Sequence, residues 1–351
     1  MKKTLSLHAL YRLLFTAFAA LVLASCGSES SDGASAYGDA GHHEDSSLPR
    51  LISAEQAADT ATSPDIEKEE PMGPTGGSCF PAFAPDKLNW SYDEFNPVIG
   101  SHCKGTDHQE IEGIEKVVFL GDSITAGTFP TSQAAFYRNL LAEELQEEFG
   151  ELEVADCSAN GAVSGDLLGG QNQIASCFPG IEEKRTLVIL TLGGNDIQSF
   201  AFSKTPASQA IPMIDNFMGQ FRAGIEWFDD PSLFPNGVFI IFSNVYEFTD
   251  GTADLSSCPA LSLFGSGGVW QDGIEVFGYI ANSYLELAVD TGRDMIFLAE
   301  NFCGHGLTKG NPSGPCAGLT DGEVWFGGDC IHPNAKGHAA IADLFLSVVL
   351  E

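Results

Sequence analysis

The chain has 351 residues, enough for one α/β domain with additions. It carries 16 Lys and Arg against 48 Asp and Glu, a formal net charge of −32. No basic patch is available to neutralise phosphates, so nucleic-acid binding is disfavoured. The acidity fits solubility and repels anionic lipid surfaces and polyanionic substrates.

The N-terminus reads as an export segment. Lys2, Lys3 and Arg12 precede an apolar run of 11 residues, Leu13 to Leu23. That run is too short to span a bilayer and fits the core of a signal peptide. It ends Leu23-Ala24-Ser25-Cys26-Gly27, which resembles a bacterial lipoprotein signal. The resemblance implies cleavage after residue 25, a lipidated Cys26 and membrane contact through it. Gly27 in place of Asp favours onward sorting to an outer membrane. An ordinary secretory signal followed by chance by a cysteine is the plainer alternative. Both imply an exported protein, anchored at the cell envelope or secreted. Beyond residue 25 the chain holds 13 basic residues against 48 acids, a net −35.

Residues 26–78 are rich in Ser, Gly, Ala, Asp, Glu and Pro and are expected to form a disordered acidic tether. His42 and His43 lie in it without further ligands and suggest no metal site. Residues 79–116 contain several aromatics but no long periodicity, and read as an irregular lead-in packed on the main domain.

Nine cysteines are present, and setting Cys26 aside leaves eight in an exported chain. Four disulfides are the natural reading, among 105 connectivities. Sequence neighbours suggest Cys79 with Cys103, Cys157 with Cys177 and Cys303 with Cys316, leaving Cys258 with Cys330. No C-x-x-C spacing occurs, which argues against zinc.

From Val117 the pattern alternates between strand and helix. Strands are expected at 117–120, 152–155, 186–192, 237–245 and 295–299. Helices are expected at 131–149, 211–228, 269–289 and 335–349. The run TLVILTL at 186–192 is apolar nearly throughout, as a strand covered on both faces should be. Five alternating strands argue for an α/β fold with a doubly wound, mainly parallel five-stranded sheet over 117–351.

In such sheets the ligand crevice lies outside the carboxyl ends of the strands. Gly121-Asp122-Ser123 follows the first strand and Asn160-Gly161 the second. Gly193-Gly194-Asn195-Asp196 follows the third, and Asp329-Cys330-Ile331-His332-Pro333 precedes the last helix. These clusters supply a nucleophile, Ser123, a base, His332, and a carboxylate, Asp329, to orient the base. The Ser123 and Gly161 N–H groups and the Asn195 amide supply donors for a developing oxyanion. Glycine at 161 is expected to let its N–H approach closely, because no Cβ intervenes.

GDSITAG, Asn160-Gly161, GGND and DxxHP, in this order, resemble the blocks of the SGNH, or GDSL, hydrolases. The resemblance covers about residues 117–351. It implies a flavodoxin-like three-layer α/β/α fold and a serine hydrolase acting on ester bonds. It assigns Ser123, Gly161, Asn195 and His332 to the family's four named positions and Asp329 to the triad acid. Ile124 stands where many members have Leu. A lipase or esterase acting on a small-molecule or lipid ester is expected, with a cell-envelope carbohydrate O-acetylesterase as the alternative within the class. An inactive binding lipoprotein would lack a triad member, and none is missing. No cofactor is implied, and a monomer is expected.

Other residues have plainer readings. Ser123 could be a mere helix N-cap. Asp122 and Asp196 are expected to hold backbone within turns. His338 is expected to pack within the last helix, and His305 is a weak candidate for lining a cleft. Trp270, Trp325, Phe248, Phe264 and Phe326 could form an acyl-binding wall or belong to the core.

Overall fold

The computed structural model describes residues 79–83, 88, 98–128, 131–263, 267–308, 314–316, 319 and 322–351. The signal, Cys26, the tether and Phe264 lie outside the described residues. The elements are β1 (Lys116–Gly121), α1 (Ser123–Ala126), α2 (Tyr137–Phe149), β2 (Glu153–Asp156), α3 (Gln173–Cys177), β3 (Thr186–Thr191) and α4 (Gly194–Phe202). They continue with α5 (Ala207–Glu226), β4 (Val238–Ser243), α6 (Pro259–Leu263), α7 (Gly273–Thr291), β5 (Asp294–Ile296), α8 (Leu298–Phe302) and α9 (Ala335–Val349).

All five strands run parallel in the order β2-β1-β3-β4-β5. Every residue of β1 and β3 is buried, which explains their unbroken apolar runs. Register assigns the faces. Leu120, Leu190 and Phe242 are aligned, and so are Phe119, Ile189 and Ile241. Successive residues of a strand point to opposite faces. Phe242 meets Phe221 of α5 and Tyr284 of α7. Phe119 meets Tyr137 of α2, which stacks on Phe345 of α9. The sheet therefore lies between an α5/α7 layer and an α2/α9 layer, a three-layer doubly wound α/β fold.

Several boundaries differ from the sequence reading. The helix expected from Thr131 begins at Tyr137, because Phe136 is extended and only a 3₁₀ turn precedes it. The fifth strand ends at Ile296 and not at Ala299. The chain turns at Phe297 into α8, and the Asn244 side chain accepts the Ala299 N–H.

The lead-in covers the edge of β5. Gly105 bridges Ile296 in antiparallel fashion, Thr106 N–H donates to Met295 O, and Gln109 bonds both Ile240 and Asp294. Only glycine fits at 105, since a Cβ there would lie 2.6 Å from Met295 O. An edge strand left open invites pairing with other chains, and this segment closes it. The opposite edge, β2, is short and carries Glu153 paired with Lys116 and Lys184. The four disulfides join Cys79 to Cys103, Cys157 to Cys177, Cys258 to Cys330 and Cys303 to Cys316. Among the described residues no helix is long and apolar enough to cross a membrane.

Candidate active site

The carboxyl end of β1 is built with little freedom. Gly121 has φ 124°, and a Cβ there would lie 2.1 Å from Thr191 O. Its N–H donates to Gln173 Oε1, and its carbonyl accepts from Gln173 Nε2, each at 2.8 Å. Asp122 then caps α1, accepting from Ile124 N and from the Thr191 hydroxyl. Burial pushes the Asp122 pKa up to about 6, against those two hydrogen bonds. The outcome is a one-turn helix with Ser123 at its first position.

His332 comes from the loop before α9. Its Nε2 lies 2.9 Å from Ser123 Oγ, and its Nδ1 lies 2.6 Å from Asp329 Oδ2. Asp329 Oδ1 also accepts the Ile331 and His332 N–H groups. Burial of Asp329 works against its ionisation, but His332 and those two N–H groups outweigh it and hold the pKa below the usual carboxylate value. Tyr246 fixes the loop by donating its hydroxyl to Ile331 O, and the Cys258–Cys330 disulfide crosslinks it. Asn334 caps α9 through the Lys336 and Gly337 N–H groups while its amide donates to Val324 O and Phe326 O. Pro333 thus stands just before a capped helix start.

The donors expected for an oxyanion gather at the same edge. Asn195 donates one amide hydrogen to Ala162 O at 2.9 Å, which orients the amide and leaves its second hydrogen. Ala159 N–H donates to Gly121 O, so residues 159–162 lie alongside the Ser123 turn. Gly161 has φ 77°, and a Cβ there would meet nothing within 4 Å. Its left-handed backbone is one that glycine adopts without strain. Asp196 accepts both the N–H and the hydroxyl of Ser164, and burial pushes its pKa up to about 6.

A cleft of about 110 Å³ opens beside Ser123 and Asn195, walled by Ile197, Phe202, Val245, Phe248 and Phe277. Of the aromatics proposed from sequence that lie among the described residues, Phe248 lines it and Trp270, Trp325 and Phe326 do not. Trp270 is buried with its indole N–H on Thr205 O. Trp325 stacks on His305, and Phe326 packs edge-on against Tyr246. His305 is buried in that stack and does not line the cleft. His338 is fully buried on α9 and accepts the Tyr137 N–H. Gln173, Asn334, Tyr246 and Phe277 escaped the sequence reading. Among the described residues no three His, Cys, Asp or Glu side chains group to hold a metal ion.

Fold and site together define a doubly wound α/β chain that sets a hydrogen-bonded Ser–His–Asp line at the carboxyl edge of its sheet. Residues 119–252 match the model of the GDSL-like lipase/acylhydrolase family. This stretch is similar to the GDSL-like lipases and acylhydrolases. The match includes Ser123, Gly161 and Asn195 and ends before Asp329 and His332, which the fold returns to the site. No curated protein matches the chain. Solved structures similar to it include a gut microbial diltiazem-metabolizing enzyme, at 17% identity and TM-score 0.47. That similarity covers 69% of this chain and 49% of the other, so this chain spans about half the length of that relative. Phospholipase A1 from Streptomyces albidoflavus is similar at 16% identity and TM-score 0.45, over 67% of this chain and 99% of that one. An acetyl xylan esterase from Geobacillus stearothermophilus is similar at 18% identity and TM-score 0.44, over 69% and 97%.

Proposed function

We propose that the chain is an exported, lipid-anchored serine esterase that hydrolyses carboxylic esters through an acyl-Ser123 intermediate. The observation that carries this reading is the unbroken line from Ser123 Oγ through His332 to Asp329, at 2.9 and 2.6 Å.

His332 Nε2 takes the Ser123 proton as Oγ attacks the ester carbonyl carbon. The carbonyl oxygen gains the electron pair, and the Ser123 and Gly161 N–H groups and the second Asn195 hydrogen stabilise it. Asp329 holds Nδ1–H and stabilises the imidazolium. When the carbonyl re-forms, the C–O bond to the alcohol breaks, and His332 gives that oxygen its proton. Water then attacks the acyl-serine, losing a proton to His332. Ser123 leaves with that proton, and a carboxylic acid is released. Export and anchoring are supported by the Leu13–Leu23 run, followed by Ala24-Ser25-Cys26, and by four disulfides, which persist in oxidising compartments.

A fluorophosphonate probe on the purified, disulfide-intact chain tests the reading. Wild type should be labelled and should hydrolyse p-nitrophenyl esters, and Ser123→Ala should do neither. Asp329→Asn should lower kcat by about 10³–10⁴-fold through the wrong imidazole tautomer. Labelling of Ser123→Ala equal to wild type would remove Ser123 from the mechanism.

A further inference from the structure

Behind the cleft lies a second cavity of about 30 Å³, bounded by Phe83 and Leu88 of the lead-in, Ile274 of α7 and the Cys303–Cys316 disulfide. Two residues, Glu247 and Phe277, line both spaces. They form the partition between a compartment that opens on Ser123 and one that does not.

Each side of this partition has a physical character. Phe277 is half-buried on α7 and packs edge-on to Trp270, at 6.3 Å between ring centres. Glu247 cannot swing away. Its Oε1 accepts the Gly251 N–H at 2.6 Å, and its Oε2 accepts the Thr249 N–H. A carboxyl group is thus fixed beside Phe277 where the two spaces meet. A growing apolar chain gains about a methylene's worth of burial per carbon until it reaches this partition. Beyond it, the chain must displace the Phe277 ring or strip the remaining water from a carboxyl, which is unfavourable.

We propose that Glu247 and Phe277 set an acyl-length limit: the cleft receives short acyl groups, and the second cavity is the extension that a longer chain would need. This rests on the esterase reading and names the substrate class, short-chain carboxylic esters. Phe277 is the specificity-determining side chain because it lines both spaces, while Glu247 disfavours apolar chains that reach it.

The test is the dependence of kcat/KM on acyl length, from p-nitrophenyl acetate to p-nitrophenyl decanoate below the micellar range. Wild type should fall steeply beyond the butanoyl ester. Phe277→Ala should raise the octanoyl-to-acetyl ratio by about tenfold or more, the scale on which pockets discriminate by methylenes. Phe277→Trp should move the ratio the other way. Phe277→Leu removes less of the ring and gives an intermediate ratio if the alanine variant folds poorly, as thermal melts would reveal. Fluorophosphonate labelling of each variant separates the two levels of the argument. Labelled, active variants whose length profiles coincide with wild type would overturn the acyl-length limit alone. A wild type that is neither labelled nor active would overturn it together with the esterase reading.

Discussion

Gln173 is the residue on which the position of Ser123 most depends without touching it. It bonds both backbone polar groups of Gly121 across 52 residues of sequence. Gln173→Leu would keep the volume but leave the buried Gly121 N–H without its acceptor, at a cost of about 1–3 kcal/mol. Urea unfolding should register that loss, and kcat should fall more than KM changes, because the Ser123 turn loosens. An unchanged kcat would show that the turn holds its position without Gln173. His338 offers a second residue-level prediction. Burial first, then the charges of His332 and Arg138, press its pKa from 6.5 down to about 4. Between those values the unfolded chain binds a proton that the native state refuses. The associated stability is therefore present above about pH 6.5 and lost as pH falls toward 4, by about 3 kcal/mol. Asp122 and Asp196, raised to about 6, act in the opposite direction, since the native state holds their protons longer. The check is the difference between wild type and His338→Gln in urea midpoints from pH 8 to 4, which should narrow on acidification as wild type loses this term. The groups of the Ser123–His332–Asp329 line and Asn195 were legible because Gly-Asp-Ser, Gly-Gly-Asn-Asp and Asp-x-x-His each follow a strand or precede a helix. Gln173 and Phe277 were not, since nothing local distinguishes a glutamine that reaches another strand or a phenylalanine that divides two cavities.

At the scale of elements, the loop between Phe326 and α9 behaves as one mechanical unit. It carries Asp329 and His332, and Gly327 N–H closes on His332 O at 2.7 Å. Cys330 sits within it at φ 68° and is tied to Cys258, 72 residues earlier. Closing a loop of that length removes about 4 kcal/mol of unfolded-state entropy in the chain-entropy treatment. The double variant Cys258→Ser/Cys330→Ser should lose about 2–4 kcal/mol and most of kcat, since the imidazole loses a fixed position. The double variant Cys79→Ser/Cys103→Ser breaks a link at the β5 edge, away from Ser123, and should lose stability with a much smaller effect on kcat. Equal effects of the two pairs on kcat would mean that the crosslink serves folding only. The strands themselves were readable because a parallel sheet covered on both faces demands near-continuous apolar runs, as in 117–120 and 186–192. The overrun of the fifth strand has the same origin. Phe297, Leu298 and Ala299 are as apolar as a strand, and only the turn into α8 separates them from one. The short helices α1, α3 and α8 have 4 or 5 residues, too few for a 3.6-residue period to register.

Across the whole molecule, the charge imbalance decides how the surface responds to salt. Among the described residues every Lys and Arg except Lys204 is paired with a carboxylate, including Lys104 with Asp343, Arg222 with Asp290 and Arg293 with Asp229. Those bases are thus already engaged, and with 48 acids against 16 bases in the chain the surplus charge is carboxylate. Exposed pairs contribute little each, about 0–1 kcal/mol, so weakening them by screening costs little. Self-repulsion among the unpaired carboxylates destabilises the compact state and is screened by the same salt. Raising NaCl from 0.01 to 0.5 M should therefore raise Tm, by about 2–4 °C for each kcal/mol of repulsion relieved. The same field acts on substrates. An ester bearing a carboxylate should gain in kcat/KM over a neutral ester of equal acyl length as salt rises, because its approach is no longer opposed. Steady-state kinetics on such a matched pair, over the same salt series, measures the effect directly. A ratio independent of salt would mean that the repulsion is spread over the surface and does not reach the mouth of the cleft, where Ser123 lies.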